Sequence, residues 1–135
     1  MCAPADTEAV QAVSEGLRGE KVTIAHTLPL SWLAETIASS SLYIGNDSGV
    51  SHLAAAIGIP TLAIYGPTDP RVWGVRGPAA SVLWKGLSCS PCTREEARQC
   101  PRRRCLEDIS IEEVIRQCEI NLADKGTALH RDERV

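Results

Sequence analysis

The chain has 135 residues, 44% of them hydrophobic and 23% charged, and its 14 Lys and Arg against 17 Asp and Glu leave a formal net charge of -3. A chain of this length buries one ordinary core but is short for a two-domain enzyme, and its mildly acidic balance gives no reason to expect nonspecific binding to nucleic acid. No apolar run approaches the roughly 18 residues that a membrane span needs. Met1-Cys2-Ala3-Pro4 begins nothing like a basic and then apolar signal peptide, so the expected compartment is the cytoplasm.

The first periodic stretch opens at Asp6, a good N-cap, and sets Ala9, Val10, Val13 and Leu17 on one helical face before Gly16 and Gly19 stop it. Val22 to Ala25 is predicted as a short buried strand, and after Pro29 the residues Leu30, Leu33, Ala34, Ile37 and Ala38 recur at helical spacing. Leu42 to Gly45 is a compact apolar strand. Gly49 to Ile57 is an Ala-rich helix closed by Gly58 and Pro60, and Thr61 to Tyr65 is a second apolar strand, which completes a βαβ unit. Gly66 to Pro78 reads as a Gly- and Pro-rich loop, Ser81 to Trp84 as a last strand, and residues 86–107 as a polar loop carrying four cysteines. In the final helix Ser110 and Glu113 form a capping box, and Ile109 is placed to staple to Val114. Ile111, Val114, Ile115, Cys118 and Leu122 make its apolar stripe, and residues 124–135 form a polar tail expected to be frayed and disordered. Strands apolar on both faces and separated by helices imply a parallel sheet covered on two sides. The predicted fold class is therefore α/β, with a Rossmann-like parallel sheet.

The segment Gly45-Asn46-Asp47-Ser48-Gly49-Val50-Ser51-His52 falls where a strand ends and a helix begins, the edge at which open α/β sheets bind ligands. A helix N-terminus offers unpaired N–H groups and a partial positive charge, so the amides near Ser48, Gly49 and Val50 suit a diphosphate. Ser48 adds a hydroxyl, Gly49 removes the Cβ that would obstruct close approach, and His52 stands about one turn in, able to donate to a phosphate oxygen. The Asp47 carboxylate does not favour phosphate; it suits sugar hydroxyls beside the phosphates. In the competing reading Asp47 and Ser48 only cap the helix and His52 is an ordinary surface histidine. Neither GxSxG nor GxGxxG occurs here, which removes the usual hydrolase and dinucleotide signatures.

Gly45-Asn46-Asp47-Ser48-Gly49-x-x-His52-Leu53-Ala54-Ala55-Ala56-x-Gly58-x-Pro60, continued by Tyr65-Gly66-Pro67-Thr68-Asp69-Pro70, is similar to the signature of glycosyltransferase family 9, the heptosyltransferase-like enzymes. Cys89-Ser90-Pro91-Cys92 and the stretch Asp108 to Val114 also resemble many members, so the likeness covers roughly residues 2 to 122. The resemblance implies the C-terminal, sugar-nucleotide-binding half of a GT-B fold over residues 1–123, with Asp47 on the donor sugar and Ser48, Gly49, Val50 and His52 on the diphosphate. It also implies an acidic residue against the nucleotide ribose, a place most nearly filled by Asp6 or Glu8, although helix capping explains Asp6 equally. The family's donor half opens with a strand and a glycine-rich turn, and here Cys2 stands where glycine is usual, so that strand is expected to be missing. The acceptor half, which the resemblance says supplies a general-base aspartate, is expected to be missing too, and no residue of this chain is named as catalytic. The implied reaction is an inverting transfer of heptose from ADP-heptose to a lipopolysaccharide core or related glycolipid. The implied enzyme has no cofactor, no obligatory metal and no nucleic-acid partner, and touches membranes at most peripherally.

Cys89, Cys92, Cys100 and Cys105 give a CxxC followed by two more cysteines, somewhat tighter than zinc-ribbon spacing, and read either as a structural zinc site or as four reduced thiols. Arg94, Arg98 and Arg102 to Arg104 surround them and suit an anionic glycolipid or nucleic acid, against a solvated loop whose Glu95, Glu96, Glu107 and Asp108 offset the charge. Trp73 and Trp84 suit base stacking or, more commonly, a buried place beside a strand. Two further functions compete with a transferase donor domain: a noncatalytic nucleotide-binding remnant, and a zinc-stabilised interaction module.

Overall fold

The computed structural model describes residues 7–17, 19–25 and 27–129. The chain divides into two compact units, Met1–Leu33 and Ala34–Val135. In the first, helix α1 spans Thr7–Gly16; its expected N-cap, Asp6, lies outside the described residues. Val10 and Val13 of α1 share an open groove of about 390 Å³ with Val22 and Ile24. That groove is not a sealed core, since Val13 and Ile24 stay 62% and 46% exposed. The strand predicted at Val22 to Ala25 does not form: residues 21–25 pair with no strand among the described residues. An apolar run supplies a face, but a strand also needs a ladder partner for its backbone. Helix α2, Leu30–Ala38, matches the predicted spacing and buries Ile37.

The second unit is built on three parallel strands, β1 (Tyr43–Asn46), β2 (Thr61–Tyr65) and β3 (Ala80–Trp84), in the order β1-β2-β3. Tyr43 pairs with Thr61 and Thr61 with Ala80, so all three strands run in register to the same carboxyl edge. Helix α3 (Gly49–Ile57) makes the β1-to-β2 crossover as predicted, with Ser48 as N-cap and Gly58 as its left-handed close at φ 91°, a conformation that costs glycine little. Successive strand residues face opposite ways. Ala55 of α3 packs with Ala63 and Tyr65 on one face. Leu62 and its register partner Ser81 point to the other, where Asn121 of helix α7 (Ile111–Leu129) reaches Ser81. The parallel sheet and its two covered faces bear out the α/β reading.

Three parts of the molecule differ from the sequence expectation. The 66–78 loop contains a short helix, α4 (Pro70–Trp73), capped by Asp69, whose side chain accepts from Arg71 N. The cysteine-bearing loop contains two more, α5 (Arg94–Gln99) and α6 (Arg104–Glu107), and α5 opens on a capping box in which Thr93 and Glu96 satisfy each other's backbone N–H. The third difference is the packing face of α7. Ile111 and Ile115 of the expected apolar stripe are 74% and 52% exposed, whereas Asn121 is buried at 7%. Asn121 Nδ2 donates to Thr61 O at 3.2 Å and lies 2.7 Å from Ser81 Oγ, and Gln117 Nε2 donates to Asn121 Oδ1 at 3.1 Å. The helix therefore docks through a polar bridge to β2 and β3. It also continues to Leu129, past the end that the stripe suggested at Leu122; residues 123–129 contain no proline to stop it.

The capping box of α7 forms as predicted: Ser110 N donates to Glu113 Oε2 at 2.8 Å and Glu113 N donates to Ser110 Oγ at 3.2 Å. Glu113 also takes both oxygens to Lys85 at 2.7 and 2.8 Å, tying the end of β3 to the start of α7. Replacing Asn121 by Ala removes its bonds to Thr61 O, Ser81 Oγ and Gln117 from a buried position, and denaturant unfolding should show a loss of about 1–3 kcal/mol. Glu113 is held below the ordinary glutamate range, first by Lys85 and then by the Ser110 amide. A depressed carboxylate stabilises the fold above its unfolded pKa and loses that contribution as pH falls through the folded value. The stability gap between wild type and Glu113→Gln, measured by thermal melts, should be present at neutral pH and close in acid.

Candidate functional site

The sequence Gly45 to His52 folds as read, the end of β1 turning directly into α3. A side chain at Gly45 would displace the far end of Tyr43, whose hydroxyl lies over the strand end. Ser51, which the sequence reading passed over, is the turn's anchor: it is fully buried, its Oγ donates to Asn46 O, and its N–H donates to Ser48 O at 3.1 Å. The Ser48 hydroxyl accepts from the same Ser51 N–H at 3.4 Å, so the capping role holds, and a hydroxyl that accepts there keeps its own proton to give.

What the turn leaves unused matters more for binding. The N–H groups of Gly49 and Val50 meet no acceptor among the described residues, as expected of a first helical turn. A Cβ built on Gly49 meets nothing within 4 Å, so space stands open above those amides. Asp47 is half-buried, yet its carboxylate has no hydrogen-bond or ion-pair partner among the described residues. His52 is exposed one turn further on. The structure thus gathers Asp47, Ser48, Gly49, Val50 and His52 at one strand-to-helix junction, while Glu8 belongs to the other compact unit.

Beside this junction ends β2, and Tyr65 closes it. Its buried hydroxyl donates to Trp73 O at 2.9 Å and accepts from Val75 N at 3.1 Å, pinning the segment after α4. Desolvation, and next the charge of Asp47, hold the Tyr65 hydroxyl above its ordinary pKa, with the Val75 N–H opposing them; it stays a neutral donor. Trp73, for which the sequence left base stacking and a buried place beside a strand both open, is 64% exposed. Trp84 is half-buried, with the Arg71 guanidinium 5.7 Å from its ring centroid; its buried Nε1 and Thr68 Oγ1 have no hydrogen-bond partner among the described residues.

The comparisons decide the family. Residues 1–101 match the sequence pattern of glycosyltransferase family 9 (heptosyltransferase). The chain belongs to this family. It is 32% identical to lipopolysaccharide heptosyltransferase 1 of Pseudomonas aeruginosa over 67% of its own length and 25% of the relative's. It is 36% identical to lipooligosaccharide heptosyltransferase 2 of Campylobacter jejuni over 63% of its own length and 27% of the relative's. Lipopolysaccharide heptosyltransferase 3 of Escherichia coli aligns with 99% of the chain at 26% identity, over 39% of the relative. The chain thus spans about a quarter of the length of the first two relatives. No solved structure matches it.

Against this family background the cysteines are a separate feature. Cys89, Cys92, Cys100 and Cys105 line one cavity of about 190 Å³. The Cys92 thiol donates to Cys89 O at 3.1 Å and the Cys100 thiol to Arg102 O at 3.0 Å. Among the described residues no group of three or more His, Cys, Asp or Glu is placed to hold a metal ion. Nor is any described helix long and apolar enough to cross a membrane. Tyr65→Phe removes the partner of Trp73 O and Val75 N together, and urea unfolding should show a loss of about 1–3 kcal/mol.

Proposed function

We propose that this chain is the donor-binding part of a family 9 glycosyltransferase and holds a nucleotide-sugar, ADP-heptose, at the junction of β1 and α3. In this reading residues 1–123 form the sugar-nucleotide-binding half of a GT-B architecture. The free amides of Gly49 and Val50, helped by the Ser48 hydroxyl and His52, take the diphosphate at the positive end of α3. Asp47 accepts hydrogen bonds from the donor sugar. The observation that carries the reading is the partnerless, half-buried Asp47 carboxylate next to two unpaired amides at the carboxyl edge of a parallel sheet, where one group suits hydroxyls and the other suits phosphate. The family and the relatives' names support heptose transfer to a lipopolysaccharide core or related glycan as the reaction.

Transfer needs the acceptor hydroxyl deprotonated while the nucleoside diphosphate departs. The α3 terminus stabilises the negative charge that grows on that leaving group, and its fixed dipoles need no reorganisation as the bond breaks. A cation is not required for this role. Deprotonation of the acceptor falls to a general base outside these residues, so binding and catalysis are separable. Because Asp47 is assigned to the sugar, Asp47→Ala should weaken ADP-heptose binding roughly 10- to 100-fold while changing ADP affinity little. His52→Ala should weaken both ligands. Isothermal titration with the two ligands checks this, and equal affinities in wild type and both variants would remove the site.

A further inference from the structure

The segment from Cys89 to Leu106 folds back over the end of β2. Cys92 N donates to Pro67 O at 2.7 Å and Ser90 Oγ to Gly66 O at 2.9 Å. Gly66 lies so close beneath it that an added Cβ would stand 2.8 Å from Leu106 Cγ. Between this segment and Pro67 is a cavity of about 330 Å³. Pro67, Ala97 and Leu106 give it apolar walls, Arg94, Arg98 and Arg103 bring three cationic side chains to it, and no carboxylate lines it.

The segment's charges are divided unevenly. Arg102 pairs with Glu107 at 3.6 Å and Arg104 with Asp108 at 2.9 Å. Glu96 is spent on the Thr93 amide and hydroxyl, and Glu95 accepts from Gln99. The guanidiniums of Arg94, Arg98 and Arg103 have no hydrogen-bond or ion-pair partner among the described residues. Those three are the arginines at the cavity. Arg94 and Arg98 lie four residues apart on α5, hence on one face of it. Burial, and after it the neighbouring Cys89, push the Cys92 thiol up, so it stays uncharged at neutral pH and cancels none of this charge.

We propose that this cavity is an anion site separate from the Asp47 turn, taking a phosphate monoester whose phosphate meets the three guanidiniums and whose carbon skeleton lies against Pro67, Ala97 and Leu106. Guanidinium groups match phosphate oxygens with directed, charge-assisted bonds. The shared chemistry admits two sources, a soluble sugar phosphate or the headgroup of phosphatidic acid in a bilayer.

Cys100 lines the same cavity and is exposed, which provides a local readout. The rate at which a neutral maleimide alkylates Cys100, located by mass spectrometry, is measured against glucose 6-phosphate, against glucose, and against phosphatidylcholine vesicles with and without phosphatidic acid. Cys118, which is not among the cavity's lining residues, serves as the internal reference. Protection by glucose 6-phosphate but not glucose supports the site with a soluble ligand, and protection only by phosphatidic acid vesicles supports it with a lipid. Arg94→Gln with Arg98→Gln should raise the half-protecting concentration roughly a hundredfold, and Arg98→Lys, which keeps the charge, much less. Asp47→Ala should keep full protection, which separates this site from the donor turn. No protection of Cys100 by either phosphate source, protection that survives the double Gln variant, or protection lost in Asp47→Ala would overturn the proposal.

Discussion

The molecule is organised by the burial of one short strand on every side. β2 has a parallel neighbour at each edge, and Thr61, Leu62, Ala63 and Tyr65 are out of solvent. A backbone so placed must spend its N–H and C=O groups on its neighbours. Parallel neighbours are reachable only by a crossover that returns to the starting edge. Each strand therefore ends at the same edge, and the chain leaving β1 must begin α3 there. The unpaired amides of Gly49 and Val50 follow from topology before any ligand is considered. Adjacent strands lie about 4.8 Å apart, so the turns that follow β1 and β2 are forced to be neighbours.

Around that edge the polar groups are almost all satisfied internally. Ser51 is spent on Asn46, Ser48 on Ser51, and Tyr65 on Trp73 and Val75. These bonds keep buried hydroxyls from becoming a cost and fix the edge in one shape. The Asp47 carboxylate, like the Gly49 and Val50 amides beside it, has no such partner among the described residues. A carboxylate partly withdrawn from water gains nothing from the fold unless something donates to it, and the charge it places near Tyr65 makes ionising that hydroxyl harder.

The stretch from Gly45 to Tyr65 was legible because each of its features has a local cause: a four-residue apolar run, a serine cap, a 3.6-residue period and a glycine close. What was not legible depended on distant partners. The apolar stripe on α7 pointed at Ile111 and Ile115, but the site α7 packs against presents Thr61 O and Ser81 Oγ, and a polar target selects Asn121 and Gln117. The run at Val22 to Ala25 has a strand's composition without a strand's neighbour. Ser51 was overlooked since a small polar residue in an Ala-rich helix carries no period of its own, and only the turn of the chain brings Asn46 O above it. The helix α5, by contrast, was announced by Thr93 and Glu96 at capping-box spacing and was hidden only by the assumption that a polar, cysteine-bearing stretch is loop throughout.

The cysteine-bearing segment shows why summed charge misleads about what a surface can bind. From Cys89 to Asp108 there are five arginines and four carboxylates, which leave a single positive charge in a chain whose net charge is -3. Coulomb energy falls with separation and is settled pair by pair. In the fold, Glu107 and Asp108 take the arginines within reach on their own helix turn, and Glu95 and Glu96 are turned to Gln99 and Thr93. The leftover positive charge is thereby concentrated in one place. It differs in kind from the neighbouring turn, where amides fixed by α3 hold a nearly rigid geometry. Arg94, Arg98 and Arg103 are exposed side chains that lose rotamer freedom on binding. Amides fixed by a helix favour one placement of a diphosphate, whereas exposed guanidiniums accept a range of phosphate positions, so the proposed donor turn suits a ligand held in one pose and the proposed arginine site an anion whose pose can vary.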